Sequence, residues 1–321
     1  MKLIGKPAHG SSEWLALRHR NAAGNIVFGA SEIPALMGMS QWMTRPELFA
    51  SKLREPEVRK ETDVFRRGNL LEPVLIQEAG TVLGLPIVTP EFMYAENRVI
   101  ATLDGVDAPL SPTIIVEAKT TTRYRIRDVE DLPAEWLWQG WAQQYATSKD
   151  GHVPSVYFAV LDSDQKISVL EAPNNPDAIE RLATEAEAFA TAIERNEPPA
   201  EFDEAVMDAA TVATIWRATP TKVEIPEVEM RWLQELALAK DMAAEADTLK
   251  KHAEDQIALM LKNHEVGTYR GVKVVSWKEQ AGRASLDTKA LREAHPEITA
   301  KFEKQGKPFR VMRTHKIAPM S

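Results

Sequence analysis

The sequence predicts an α/β protein: a sheet core carrying helices, followed by a long helical arm and a small basic α/β module. Three observations lead there. Short β-branched and aliphatic runs, 99–103, 113–116 and 155–161, are punctuated by Pro109 and Ser111-Pro112 and read as strands. Apolar helical patterns lie around them, from Val74 to Ala79 and from Trp136 to Tyr145. The length of 321 residues suits one large core unit and a smaller second one.

In chain order, Pro73 suits the first turn of a helix, because its missing N–H is unpaired there anyway. Glu72 then stands at the helix start, favoured by the dipole, and Gly80 ends the helix. Asp104 closes the strand at 99–103. In the next strand Glu117 and Lys119 share a face while Ala118 points away, because side chains alternate. The helix from Trp136 sets Gln139 and Gln143 four apart on one face, and the strand at 155–161 follows. Pro176 starts a helix that runs to Ile193 and stops before Pro198-Pro199. From Glu227 to Asn263 no Gly or Pro interrupts a pattern too long for a routine globular helix. Its apolar face of Leu249, Ala253, Ile257 and Met260 is expected to pack on the core or on a neighbouring subunit. Beyond Gly267, residues 271–278 alternate like a strand, Leu286 to Lys289 begins a helix, and Val311 to Lys316 alternates again. The expected units are a core at 1–205, a linker and arm at 206–265, and a basic module at 266–321.

Composition removes several classes. There is no cysteine, which excludes catalytic thiols, disulfides, Cys-ligated zinc and Cys-held iron–sulfur clusters. No apolar run approaches the roughly 18 residues that span a bilayer. The first ten residues lack the apolar stretch of a secretory signal, so a soluble, cytoplasmic protein is expected. The net charge of −8 looks wrong for a nucleic-acid partner until it is mapped. Residues 1–60 hold nine Lys/Arg and five Asp/Glu, a net of +4, and residues 266–321 hold twelve and five, a net of +7. Residues 171–210 hold two Arg and eleven Asp/Glu, a net of −9. The basic ends suit phosphate contacts or plain solubility; the acidic stretch suits a solvated helix. The seven His residues show no metal-ligand spacing.

The chemistry concentrates in Asp104, twelve intervening residues, then Glu117-Ala118-Lys119. Two carboxylates and an ammonium on neighbouring strands fit a divalent-metal site with a cation beside it. Cutting a phosphodiester calls for such a set: hard oxygen ligands, an activated water, and positive charge facing the transition state. The rival reading is a hairpin with solvated charges at its ends.

Neighbouring motifs favour the first reading. Trp14 to Arg18, Gly29-Ala30-Ser31-Glu32-Ile33, Met37 to Ser40, Pro46 to Lys52, Arg67-Gly68-Asn69 with Glu72-Pro73, Leu103-Asp104-Gly105, Glu117-Ala118-Lys119 and the Gln139 helix occur in this order over about half the chain. The series resembles the YqaJ-type viral recombinase family of the PD-(D/E)xK nucleases, the group of lambda-type exonucleases. The resemblance implies a restriction-endonuclease-like mixed central sheet flanked by helices. It implies Asp104 and Glu117 as metal ligands, with the Ala118 backbone carbonyl and Glu72 joining them around two Mg²⁺ ions, Mn²⁺ being able to substitute. Lys119 would orient the attacking water, with Gln139, or Gln143 if the register shifts by one turn, holding water or lysine. Arg18 and Ser31 match positions that contact a terminal 5′-phosphate; Arg offers a planar fork. Ser31 also precedes a helical pattern, where it would act as an N-cap. Trp42, Trp136, Trp138 and Trp141 could stack bases, but aromatics at helical spacing favour the core, which leaves Trp42 as the stacking candidate.

The expectation is therefore a phage- or prophage-type exonuclease on double-stranded DNA ends. It would degrade the 5′-ended strand and leave a 3′ overhang for a single-strand annealing protein, as a homotrimer ring, with no membrane association. The rivals are a structure- or sequence-specific endonuclease of the same fold, and an inactive DNA-binding protein.

Overall fold

The computed structural model describes residues 1–58, 62–282, 284–304, 306 and 309–313. It divides into two compact units, Met1–Arg217 and Ala218–Ser321.

The first unit runs β1 (Lys2–Gly5), α1 (Ser12–His19), β2 (Phe28–Gly29), a 3₁₀ turn (Ala30–Glu32), α2 (Ile33–Leu36), α3 (Arg45–Leu53) and α4 (Asp63–Leu83). It continues with β3 (Phe92–Glu96), β4 (Val99–Ala101), β5 (Gly105–Val106), β6 (Ile114–Thr120), α5 (Ala134–Thr147), β7 (Ser155–Leu161), β8 (Ile167–Glu171), α6 (Pro176–Arg195) and α7 (Ala209–Ile215). Side-chain oxygens at Ser11, Thr44, Thr62 and Asn175 take the first free N–H groups of α1, α3, α4 and α6.

The mixed sheet of the sequence reading is β5-β6-β7-β8, with β6 and β7 parallel and both outer pairs antiparallel. Helices cover both faces. Leu75, Ile76 and Ala79 of α4 pack on Val116 and Ala159. On the other face the α5 tryptophans join Ile115, Val156, Phe158 and Val160. Gly140 permits this approach, since a Cβ there would sit 3.2 Å from both Phe158 and Val156. A second four-stranded sheet, β1-β3-β4-β2, was not anticipated. The chain crosses from it to the first sheet between β4 and β5, and Asp104 lies in that crossing.

Three boundary expectations are corrected. Helix α4 begins ten residues before Pro73, at Asp63 after the Thr62 cap. Pro73 is therefore interior, Glu72 stands mid-helix, and the dipole account of Glu72 fails, because burial of Leu75, Ile76 and Ala79 holds the helix through the proline. The helix also passes Gly80 and ends at Gly84, whose φ of 66° is the left-handed cap that glycine supplies cheaply. Finally, β4 stops at Ala101 and belongs to the other sheet, so Asp104 closes no strand.

The acidic segment is less solvated than its charge suggests. Helix α6 buries Ala178, Leu182, Ala186, Phe189, Ala190 and Ile193, while its acids hold arginines at the rim. Arg98 pairs with Glu187 and Glu194, and Arg45 with Glu185.

The second unit holds α8 (Met230–Leu261), β9 (Val266–Tyr269), β10 (Val272–Ser276), α9 (Thr288–Ala294) and α10 (Pro296–Phe302). Helix α8 is unbroken, as the absence of Gly and Pro allows. Its expected packing stripe is not buried within this chain: Leu249 and Met260 are 70% and 73% exposed. Residues 311–313 form no strand, and the rest of the alternation expected up to Lys316 falls outside the described residues.

Phe28, Phe49, Phe189 and Phe202 form an aromatic knot with ring centroids 5.6 to 6.3 Å apart. Phe189→Ala should cost about 3–5 kcal/mol, measured as a lower chemical-denaturation midpoint with an unchanged slope.

Candidate active site

Strand β5 is two residues long and pairs with β6 only opposite Ile115 and Val116. The edge of β6 beyond Val116 is thereby open to a side chain, and Asp104 takes it: its Oδ2 accepts from the Ala118 N–H at 2.9 Å. In a strand the N–H and C=O of one residue point to the same edge, so the Ala118 carbonyl faces the Asp104 side too.

The alternation places Glu117 and Lys119 together on the α5 face. Glu117 is 4% exposed, and donors satisfy its charge. Its Oε1 accepts from Lys119 Nζ at 2.8 Å and from Gln139 Nε2 at 2.5 Å, and its Oε2 accepts from Gln143 Nε2. Gln139 Oε1 in turn accepts from Lys119 at 2.9 Å. Both glutamines thus serve the site at once, rather than as alternatives. One helical turn separates them, and each reaches one carboxylate oxygen.

Glu72 approaches from α4, half-buried. Burial, with Glu117 beside it, raises its pKa above the usual carboxylate value. Asp104 is pushed well above its usual range by burial and by Glu117 and Glu72, against the pull of the Ala118 N–H and Lys119. Asp104, Glu117 and Glu72 thus act on one another with Lys119 nearby, and a divalent cation would relieve that repulsion.

The donor chemistry fits a hard cation. A carboxylate has about four lone-pair sites, and Glu117 commits three, leaving one on Oε2. Asp104 Oδ1 and the Ala118 carbonyl complete an all-oxygen set. Among the described residues no three His, Cys, Asp or Glu side chains cage an ion by themselves. Mg²⁺ does not need such a cage, since it keeps several waters and takes one or two carboxylates.

A second cluster lies at the start of the chain. Arg18 Nη2 donates to Ser31 Oγ at 2.6 Å, and its guanidinium sits 4.2 Å from the Trp14 ring centroid. Ser31 is not the expected N-cap: it lies inside the 3₁₀ turn, whose cap is Gly29, and the following α2 spans four residues. One cavity of about 640 Å³ is lined among others by Trp14, Arg18, Ser31, Lys119, Trp136 and Gln139, so it reaches from the arginine to the lysine and glutamine that hold Glu117. Trp42 stands in its lining, 72% exposed, with the Arg123 guanidinium 5.0 Å from its ring. Trp136, Trp138 and Trp141 are buried core.

Two groups near the cavity escaped the sequence reading: the Glu32–Lys52 ion pair at 2.8 Å, and the spatial role of Gly29. The motif series includes Gly29 to Ile33 and Pro46 to Lys52, but no local pattern pairs Lys52 with Glu32, twenty residues before it.

Comparison with known proteins agrees with the motif resemblance. The chain is 23% identical to the uncharacterized protein YqaJ of Bacillus subtilis over 305 residues, 91% of each. The likeness extends over nearly the whole length of both chains. No family model matches it. Among solved structures, the alkaline exonuclease of Laribacter hongkongensis is 16% identical, with a TM-score of 0.44 over 60% of this chain and 96% of that one; its complex with dAMP gives 0.45 over the same shares. A phage-related exonuclease from Haemophilus somnus is 11% identical, with a TM-score of 0.39 over 53% and 95%.

Within the site Gln143 is fully buried and holds one oxygen of Glu117. Gln143→Leu keeps the volume and removes the donor. It should destabilise the fold by about 1–3 kcal/mol, read as a lower denaturation midpoint, and weaken Mg²⁺ binding about 10- to 100-fold by calorimetry.

Proposed function

We propose that the chain is a Mg²⁺-dependent exonuclease that acts on double-stranded DNA ends and degrades the 5′-ended strand. The observation that carries this reading is the single cavity in which Arg18 and Ser31 share walls with Lys119 and Gln139. An anion anchor in one cavity with the lysine and glutamine that hold Glu117 fits a terminal phosphate bound beside the bond to be cut.

Each side chain has a role in that reading. Asp104, Glu117 and the Ala118 carbonyl hold the metal, with Glu72 available to a second ion. When bound, Mg²⁺ supplies a Lewis acid and lowers the pKa of water. Lys119, fixed by Glu117 and Gln139, directs its ammonium toward the water and offsets charge developing on the phosphoryl oxygens. Gln143 keeps Glu117 in place. Arg18 and Ser31 grip the terminal 5′-phosphate, the guanidinium with its fork and the hydroxyl as a further donor. The resemblance further suggests that the remaining 3′ strand passes to a single-strand annealing protein and that the enzyme assembles as a homotrimer ring.

Asp104→Ala and Glu117→Ala should each lower cleavage at least about a thousandfold in Mg²⁺, some 4 kcal/mol of transition-state stabilisation. DNA affinity in a filter-binding assay should remain. More than a few per cent of residual rate would reject the site. Arg18→Ala should slow degradation of 5′-phosphorylated duplex about 10- to 100-fold more than of 5′-hydroxyl duplex, the scale of one lost charged hydrogen bond; equal slowing would place Arg18 elsewhere. Covalently closed plasmid should survive digestion, and its linearisation would favour an endonuclease.

A further inference from the structure

We infer that Gly29 and the buried Glu32–Lys52 pair seat Arg18 and thereby set discrimination for a 5′-phosphate without touching DNA themselves. The inference rests on the reading of Arg18 as the phosphate anchor. It concerns residues that the motif resemblance leaves without a role.

Gly29 is not needed for its backbone. Its φ of −63° and ψ of 146° suit any residue. The need is for space: a Cβ built there would lie 2.0 Å from Arg18 Nη2 and 2.6 Å from Cζ and Nε. The guanidinium occupies the volume that the missing side chain leaves, with Trp14 and Ser31 among its other neighbours. Because the clash is with the tip of a flexible side chain, a methyl group at 29 moves Arg18 rather than the fold.

The ion pair fixes the backbone on both sides of this seat. Lys52 is 2% exposed; its Nζ donates to Glu32 Oε2 at 2.8 Å and to the Arg18 carbonyl at 3.0 Å. The same Glu32 oxygen accepts the Gly29 N–H at 2.7 Å. One ammonium therefore ties the end of α1, which carries Arg18, to the turn that carries Gly29 and Ser31. Burial pushes the Glu32 carboxyl up, but Lys52, Arg18 and the Gly29 N–H bring it below its usual value, so it stays ionised. Burial pulls the Lys52 pKa below its usual value, and the Glu32 carboxylate opposes that pull. Without Glu32, two cations would repel one another and the guanidinium would have reason to leave.

The test compares initial rates on duplexes that differ only in a 5′-phosphate or a 5′-hydroxyl, in wild type, Gly29→Ala, Arg18→Ala, the Gly29→Ala/Arg18→Ala double variant and Lys52→Met. Gly29→Ala should lower the phosphate-to-hydroxyl rate ratio about 10- to 100-fold, approaching Arg18→Ala. In the Arg18→Ala background the glycine substitution should add nothing, because its effect passes through that guanidinium. Lys52→Met should lower the ratio as well; if it does not fold, the glycine cycle decides. A folded Gly29→Ala with a wild-type ratio overturns the inference and leaves the anchor reading intact, as does a loss that multiplies in the double variant. A wild-type ratio of one overturns both.

Discussion

The site depends on satisfying one buried carboxylate where water is scarce. Glu117 lies on a strand covered on both faces, and a carboxylate without partners there would be costly. Lys119 two residues on, with Gln139 and Gln143 one turn apart on α5, removes that cost by saturating three lone pairs. The remaining lone pair, the open edge at Ala118 and the Asp104 carboxylate follow from where β5 stops. A longer β5 would have covered the edge with backbone. The brevity of one strand and the pitch of one helix thus shape the oxygen set together.

The same logic recurs at the other end of the cavity with the signs exchanged. There a buried ammonium needs its carboxylate, and the pair ties the end of α1 to the turn at Glu32. Charge is buried in both places, each time paired and hydrogen-bonded, and each time next to a group left open toward the cavity. Buried pairs contribute little net stability. Their value in this molecule lies in position: one fixes the Lys119 ammonium and the other the backbone carbonyl of Arg18, and both residues line the same cavity.

The strands at 113–116 and 155–161, the α5 and α6 helices, a long helix over Glu227 to Asn263 and the sharing of one face by Glu117 and Lys119 were legible in the sequence, because periodicity and Gly/Pro punctuation are local. The α4 boundaries were not. Pro73 carries a local preference for a first turn, and the burial of Leu75, Ile76 and Ala79 against the sheet overrode it. The second sheet also escaped notice, since β2 is two residues long and pairs with β4 seventy residues on. Among the tryptophans, helical spacing correctly assigned Trp136, Trp138 and Trp141 to the core, and a loop position left Trp42 exposed.

The sequence by itself determined which residue types were available and which faces they share: two acids, a lysine and two glutamines at strand and helix spacing. Only the tertiary structure decided that both glutamines meet one carboxylate, that Glu72 joins from mid-helix, and that Arg18 fills the space beside Gly29. Those contacts join residues far apart in the chain, and they depend on how elements pack, which no periodicity of two or 3.6 encodes.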